Sequence, residues 1–305
     1  MSLSISEAAQ RIRAGGLVAF PTETVYGLGA NALDARAVQK IYELKGRPAT
    51  SPLIVHVASA GMAREIVAEW PDLAQDLANR WWPGPLTMVL PKREVIPGIV
   101  TAGLSTVGVR MPAHPVALKL IEEAGVPIAA PSANKFTGIS PTTPEHVRAA
   151  FGDAVEVLEG GPAKVGIEST VIAIERSGVK LLRPGMIHID AARPAEPSEG
   201  AHPAPGMHQR HYSPRTPLVL VDGPEDLGDR TGAYIWHSRP AVIRRSIHLP
   251  AEPAAFAARL YSALHELDAE NWPWIAVQLP PPTPEWQAIH DRLRRAAGQT
   301  GAKAS

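Results

Sequence analysis

From Leu17 onward the chain alternates short apolar, β-prone runs with longer helical stretches, and it breaks that alternation once, in a Pro-rich segment from Arg193 to Pro217. Repeated strand–helix alternation predicts α/β units, each a sheet covered by helices. Before the break, Leu17–Phe20, Leu53–Val57, Leu86–Leu90, Thr106–Arg110, Ile128–Ala130, Val155–Leu158, Thr170–Ile174 and Val179–Leu182 read as strands. Asp34 can cap a helix ending near Lys45-Gly46, helical patterns run through about Asn79, and His114–Ala124 is helical. Ser4 and Glu7 have capping-box spacing, and Gly15-Gly16 supplies a stop, which predicts a short amphipathic helix at the N-terminus. After the break, Leu218–Val221, Ala233–Trp236 and Ile275–Leu279 suggest strands, and Phe256–Leu267 and Trp286–Ala297 suggest helices. The expected organisation is an α/β domain over 1–192, a linker over 193–217 and a small Rossmann-like α/β domain over 218–305. The second part has no GxGxxG, so dinucleotide binding has no support there.

The linker has no apolar period, and its Pro, Ala and Gly content alone would make it a spacer. Yet Met207–Tyr212 reads MHQRHY, with two His, an Arg and a Tyr that a spacer does not need. That core argues that the segment lies against the surface of a site.

Composition narrows the function. Lys+Arg and Asp+Glu balance at 30 each, so no global charge draws the chain to nucleic acid or to an acidic membrane. RNA contact would need a local patch. The absence of Cys excludes disulfides, thiolate catalysis and Cys-ligated zinc, and fits a cytoplasmic setting. No run approaches the roughly 18 apolar residues of a membrane span.

Polar residues gather where strands end, which is where α/β sheets hold ligands. Pro21–Asn31 follows the first strand with hydroxyls at Thr22 and Thr24, a carboxylate at Glu23 and two glycines; a tight turn with polar caps would carry the same residues. Lys45-Gly46-Arg47-Pro48 closes a helix. Those cations can complement the helix dipole or clamp phosphates, Lys as a point charge and Arg as a fork. His56 ends an apolar strand, where a lone His is more often a satisfied core residue than a catalyst. Arg110 ends an alternating strand just before Met111-Pro112, and a buried Arg needs an anion, either a structural carboxylate or a ligand's. Ser132 and Asn134 would share one face of an extended segment and suit phosphate or ribose oxygens, or simply a turn. Ser140, Glu168-Ser169 and Arg183 complete the set. P-loop, HExxH and GxSxG patterns are absent.

PTETVYGLGAN, KGRP with PLIVHV, WPGPLT, TVGVRMPAHP, PIAAPSAN, GIEST and LLRPG occur in one order. Together they resemble the threonylcarbamoyl-AMP synthase family, over roughly residues 5–190, and PAPGMHQRHYSP resembles the linker of its two-domain members. The resemblance implies a YrdC-like twisted mixed sheet around a concave active-site cavity. It implies that ATP, L-threonine and bicarbonate or CO2 react there to threonylcarbamoyl-AMP and pyrophosphate, and that a tRNA threonylcarbamoyl transferase takes the product. By the same carry-over Thr24, His56, Arg110, Ala130 and Ser169 would contact threonine. Arg47, Ser51, Thr106, Ser132, Asn134, Ser140, Arg183 and Tyr212 would contact ATP, with Lys45 and Arg47 catalytic beside the phosphates. With Tyr212 so placed, the resemblance implies that residues 201–215 form a lid over the nucleotide. Mg2+ would come with ATP, held mainly by phosphates and water. Ser51 stands where the family often has Asn, which has a longer reach and more donors. The competing readings are an RNA-binding module of the same fold and a carbamoyl-adenylate former acting on carbamoyl phosphate. Zero net charge speaks against the first, and the absence of zinc-finger-like Cys motifs against the second.

Overall fold

The computed structural model describes residues 3–190, 192–194 and 211–298. Helix α1 (Ile5–Arg13) starts where expected, with the Ser4 hydroxyl accepting the Glu7 N–H and the Glu7 carboxylate accepting the Ser4 N–H. Strands β1 (Val18–Phe20) and β2 (Gly27–Asn31) pair antiparallel. Helix α2 (Ala35–Lys45) is capped by the Asp34 carboxylate and ends at Gly46, whose φ of 63° is the left-handed conformation glycine adopts freely. Next come β3 (Ile54–His56), α3 (Ala60–Ile66), α4 (Asp72–Trp81), β4 (Leu86–Pro91) and β5 (Thr106–Arg110). They are followed by α5 (Pro115–Ala124), β6 (Ile128–Ala129), α6 (Pro144–Phe151), β7 (Glu156–Val157), β8 (Thr170–Glu175), β9 (Gly178–Arg183) and β10 (Arg193–Pro194). These strands form one ten-stranded mixed sheet in the order β10-β9-β8-β4-β5-β3-β6-β2-β1-β7. The pairing β3–β5 is parallel and sets His56 beside Arg110.

The second unit holds β11 (Leu218–Val221), β12 (Ala233–Trp236), β13 (Arg245–His248), α7 (Pro253–Ala269), β14 (Ile275–Gln278) and α8 (Gln287–Ala296). Its four strands are all parallel, in the order β11-β14-β12-β13.

Four elements depart from the sequence reading, one of them β10, which lies within the segment read as linker and pairs parallel with β9. β2 reads as a Gly-rich loop because Gly-Leu-Gly-Ala-Asn has no β-branched residue. It is a strand because bare backbone is what the Phe20 ring requires: a Cβ on Gly29 would sit 2.8 Å from a ring carbon. α6 follows the Ser140–Thr142 cluster and is started by a Thr143 cap and Pro144 at its first turn. β13 buries only Ile247 among polar neighbours, so it gives almost no apolar signal.

The two units share one apolar cluster. Val25, Ile139 and Ile167 from the first pack with Phe256, Leu260, Tyr261 and Leu264 from α7. Gly166 lets them close: its φ is +79°, and a Cβ there would lie 2.4 Å from the Ala257 carbonyl oxygen.

Candidate active site

The ends of β1, β3, β5, β6 and β9, with the loop before β8, line a cavity that opens to solvent. It is lined by Thr22, Thr24, Arg47, His56, Arg110, Ala130, Ser132, Glu168, Ser169, Arg183, His211 and Tyr212 among others. The structure thus brings together Thr24, Arg47, His56, Arg110, Ala130, Ser132, Ser169, Arg183 and Tyr212, which the sequence had distributed over nearly the whole first unit and the linker. Lys45, Ser51, Thr106, Asn134 and Ser140 do not line it.

Each of those five has a definable place. Lys45 is buried beneath the cavity floor, and its ammonium donates to the carbonyls of Ser132, at 2.7 Å, and Asn134. Burial, with Arg47 and Lys135 nearby, holds its pKa well below the ordinary lysine value. Its visible work is to pin the Ser132–Asn134 loop. The Ser51 hydroxyl accepts from Arg47 Nη2 at 2.6 Å, so it supports an arginine of the lining. Asn134 Nδ2 donates to the carbonyls of Lys135 and Gly138, which fixes the next turn of the same loop. Ser140 donates to Glu168 Oε1 at 2.5 Å. Thr106 faces a separate small cavity with Thr87, Thr101 and Val171 between the strands.

The charges are arranged unequally. Arg110 is saturated on one side: Nη1 donates to Thr24 Oγ1 at 2.9 Å, Nε to the Gly84 carbonyl at 3.3 Å, and Nη2 lies 2.7 Å from Glu23 Oε1. The Glu23 contact is an ion pair whose angles fall outside hydrogen-bond geometry. A structural carboxylate is therefore present at Arg110, one of the two partners its burial demanded. Arg47 differs. Its guanidinium is buried and donates to the Ser51 carbonyl, the Ser51 hydroxyl and the Pro52 carbonyl, all neutral. Among the described residues no carboxylate pairs with Arg47 or Lys45. Burial lowers the Arg47 pKa to about 10, with Arg183 adding to the effect. Arg183 donates to the Ser169 carbonyl and hydroxyl.

His56 packs edge-on against Phe20 at 5.8 Å between ring centres, and its Nδ1 has no hydrogen-bond partner among the described residues. Burial first, and Arg110 second, lower its pKa to about 3, so the ring is neutral. Tyr212 is fully buried with φ of 63°, a left-handed conformation rare outside glycine, and its hydroxyl likewise has no partner among the described residues. Its ring stacks on Tyr261 of α7, and His211 lies beside it. Ser213 N–H donates to the Thr137 carbonyl at 2.8 Å, so residues 211–213 are docked against the cavity wall. Of the expected lid, 201–210 lie outside the described residues.

Glu168 and His211 line the cavity, and Glu23 stands behind Arg110, without having been assigned a role from sequence. GIEST carried Glu168 in plain view, next to an assigned serine. No described helix is long and apolar enough to cross a membrane.

Residues 10–185 match the Sua5/YciO/YrdC family model, described as telomere recombination, and residues 169–298 match the C-terminal domain of threonylcarbamoyl-AMP synthase. The threonylcarbamoyl-AMP synthase of Bacillus subtilis is 40% identical, with the match covering 96% of this chain and 93% of that protein. The threonylcarbamoyl-AMP synthase of Pyrococcus abyssi is 50% identical over 72% of this chain and 68% of that one. Among solved structures, Pyrococcus abyssi Sua5 complexed with L-threonine superposes with a TM-score of 0.89 at 42% identity, covering 96% of this chain and 94% of its own. Escherichia coli YciO shares the fold, at a TM-score of 0.53 and 22% identity over 61% of this chain and 91% of its own.

Proposed function

This chain belongs to the threonylcarbamoyl-AMP synthase family, and from that premise we propose how its cavity joins ATP, L-threonine and bicarbonate or CO2. It is an enzyme of the nucleotidyltransferase type, an L-threonylcarbamoyladenylate synthase serving threonylcarbamoyl modification of tRNA. The observation that carries the site assignment is Arg47, a buried cation of the cavity lining whose donors reach only neutral groups, with no carboxylate partner among the described residues. Buried charge of one sign is costly until an anion arrives, and a triphosphate is such an anion.

Arg47 and Arg183 take the phosphates in this reading, and Lys45 and Ser51 act from beneath, holding the Ser132 loop and the Arg47 fork. Tyr212, with a buried hydroxyl lacking a partner, and Ser132 complete the nucleotide side. Ser140, Asn134 and Thr106 stand outside the lining and take no direct part in this reading. Arg110 receives the threonine carboxylate, and Thr24, neutral His56, Ala130 and Ser169 receive the rest of the amino acid. The threonine amine and bicarbonate give a carbamate and water. A carbamate oxygen then bonds to the α-phosphorus as the bond to the bridging oxygen breaks, and pyrophosphate leaves with that electron pair. Arg47 and Arg183 would offset the charge that develops in this in-line displacement. Mg2+ would come with ATP, held mainly by phosphate oxygens and water. The product passes to a tRNA threonylcarbamoyl transferase in the cytoplasm. The domains of this reading are 1–192 for catalysis, 193–217 as linker and lid, and 218–305.

Pyrophosphate release tests the reading. It should require ATP, L-threonine and bicarbonate together, and release that proceeds equally without an amino acid would overturn it.

A further inference from the structure

Glu168 is the buried hub between the two units. Its Oε1 accepts from Ser140 at 2.5 Å, and its Oε2 accepts from Tyr261 at 3.1 Å and from Arg292 Nε at 2.8 Å. Arg292, on α8 of the second unit, also donates through Nη2 to the Glu168 carbonyl at 3.2 Å and through Nη1 to Asp291 at 2.7 Å. Its guanidinium lies 5.3 Å from the centre of the Tyr212 ring, and it is 0% exposed. Arg292 does not itself line the cavity, whereas Glu168 and Tyr212 both do.

A fully buried arginine outside the cavity lining is an expensive way to hold two domains together, since apolar residues would do as well. Its placement answers an electrostatic need of the nucleotide side. Glu168 shares the cavity lining with Arg183 and Arg47. An uncompensated carboxylate there would cancel their charge and repel phosphate. Arg292 supplies the compensation from behind, while its cation–π contact sets the Tyr212 ring.

We propose that Arg292 is a positioning residue for the nucleotide half of the site, by which the second unit neutralises Glu168 and seats Tyr212, so that a site otherwise built by the first unit and the linker is incomplete without α8. The inference rests on the assignment of ATP to the side of the cavity that holds Arg183 and Tyr212.

The test uses the full chain and measures ATP and L-threonine binding separately by calorimetry, at matched folded concentration. Arg292→Met should weaken ATP binding at least tenfold and leave threonine binding within about twofold. Arg292→Met combined with Glu168→Gln should recover ATP affinity to within about threefold of the parent, because the stranded carboxylate is gone. Recovery by a second substitution is a readout that a merely structural arginine would not give. If Arg292→Met does not fold, Arg292→Lys carries the test: the charge stays but the fork is lost, so ATP binding falls several-fold with threonine binding kept. Unchanged ATP affinity in the folded variant, equal loss of both ligands, or a double variant no better than the single one would each overturn the proposal. If the parent chain binds ATP but releases no pyrophosphate with threonine and bicarbonate, the reaction assigned above fails, and the effect of Arg292 on ATP binding still decides this inference.

Discussion

Replacing Arg110 with methionine should do two separable things. Arg110 and Glu23 are both buried, with side-chain exposures of 4% and 8%, and their contact is 2.7 Å. Removing the cation strands the carboxylate, and breaking a buried pair from one side costs about 3–5 kcal/mol of stability. If Arg110 also holds the threonine carboxylate, a charge-assisted bond of about 1.5–3 kcal/mol disappears, which lowers threonine affinity by roughly 10- to 150-fold. Adding Glu23→Gln to Arg110→Met separates the two. It should return most of the stability in a urea titration, because no charge is left stranded. It should not return threonine affinity, measured by calorimetry on the folded protein. A double variant that is stable and binds threonine like the parent would refute the reasoning and leave Arg110 a structural partner of Glu23.

Tyr212→Phe should cost little stability and lower ATP affinity several-fold, since the buried hydroxyl has no partner among the described residues to lose; equal ATP binding would remove Tyr212 from the nucleotide site. Ser51→Ala removes one of the two acceptors that hold Arg47 Nη2, so ATP affinity should fall by about threefold to tenfold with threonine affinity kept, and loss of threonine binding instead would contradict the placement. His56 and His265 are held neutral, with pKa lowered from 6.5 to about 3 and about 4, burial being the main cause in both. The unfolded chain therefore binds protons that the folded chain refuses once the pH drops below 6.5, and stability should fall by about 1.4 kcal/mol per pH unit for each imidazole until its folded pKa is reached. A urea midpoint identical at pH 7 and pH 4.5 would contradict that burial.

Local signals account for what was legible. Capping at Ser4 and Asp34, β-branched runs in β3 to β5, and the period of α7 and α8 are written in neighbouring residues, and the structure follows them. Arg47, Arg110, Ser132 and Arg183 come together in the cavity lining because each sits at or near a strand or helix end, and the sheet gathers those ends. What was hidden depends on distant partners. Nothing near Glu168 tells that it meets Arg292, 124 positions away, across two units. Lys45 and Ser51 carry phosphate-binding chemistry in their types, and only the fold shows them supporting the lining from beneath. β2 was obscured because its glycines are chosen by the Phe20 ring and not by strand propensity.

In the proposed reaction one cavity joins the carbon of bicarbonate, the nitrogen of threonine and the α-phosphate of ATP. Mass spectrometry of the reaction with carbon-13 bicarbonate tests it directly. The account predicts an AMP-linked threonine product carrying the label, formed together with pyrophosphate. It also predicts that L-serine gives roughly 10- to 200-fold less at limiting concentration, the value of one methyl group in an apolar niche. An AMP-linked amino acid without the labelled carbon, or ADP and phosphate in place of AMP and pyrophosphate, would contradict it.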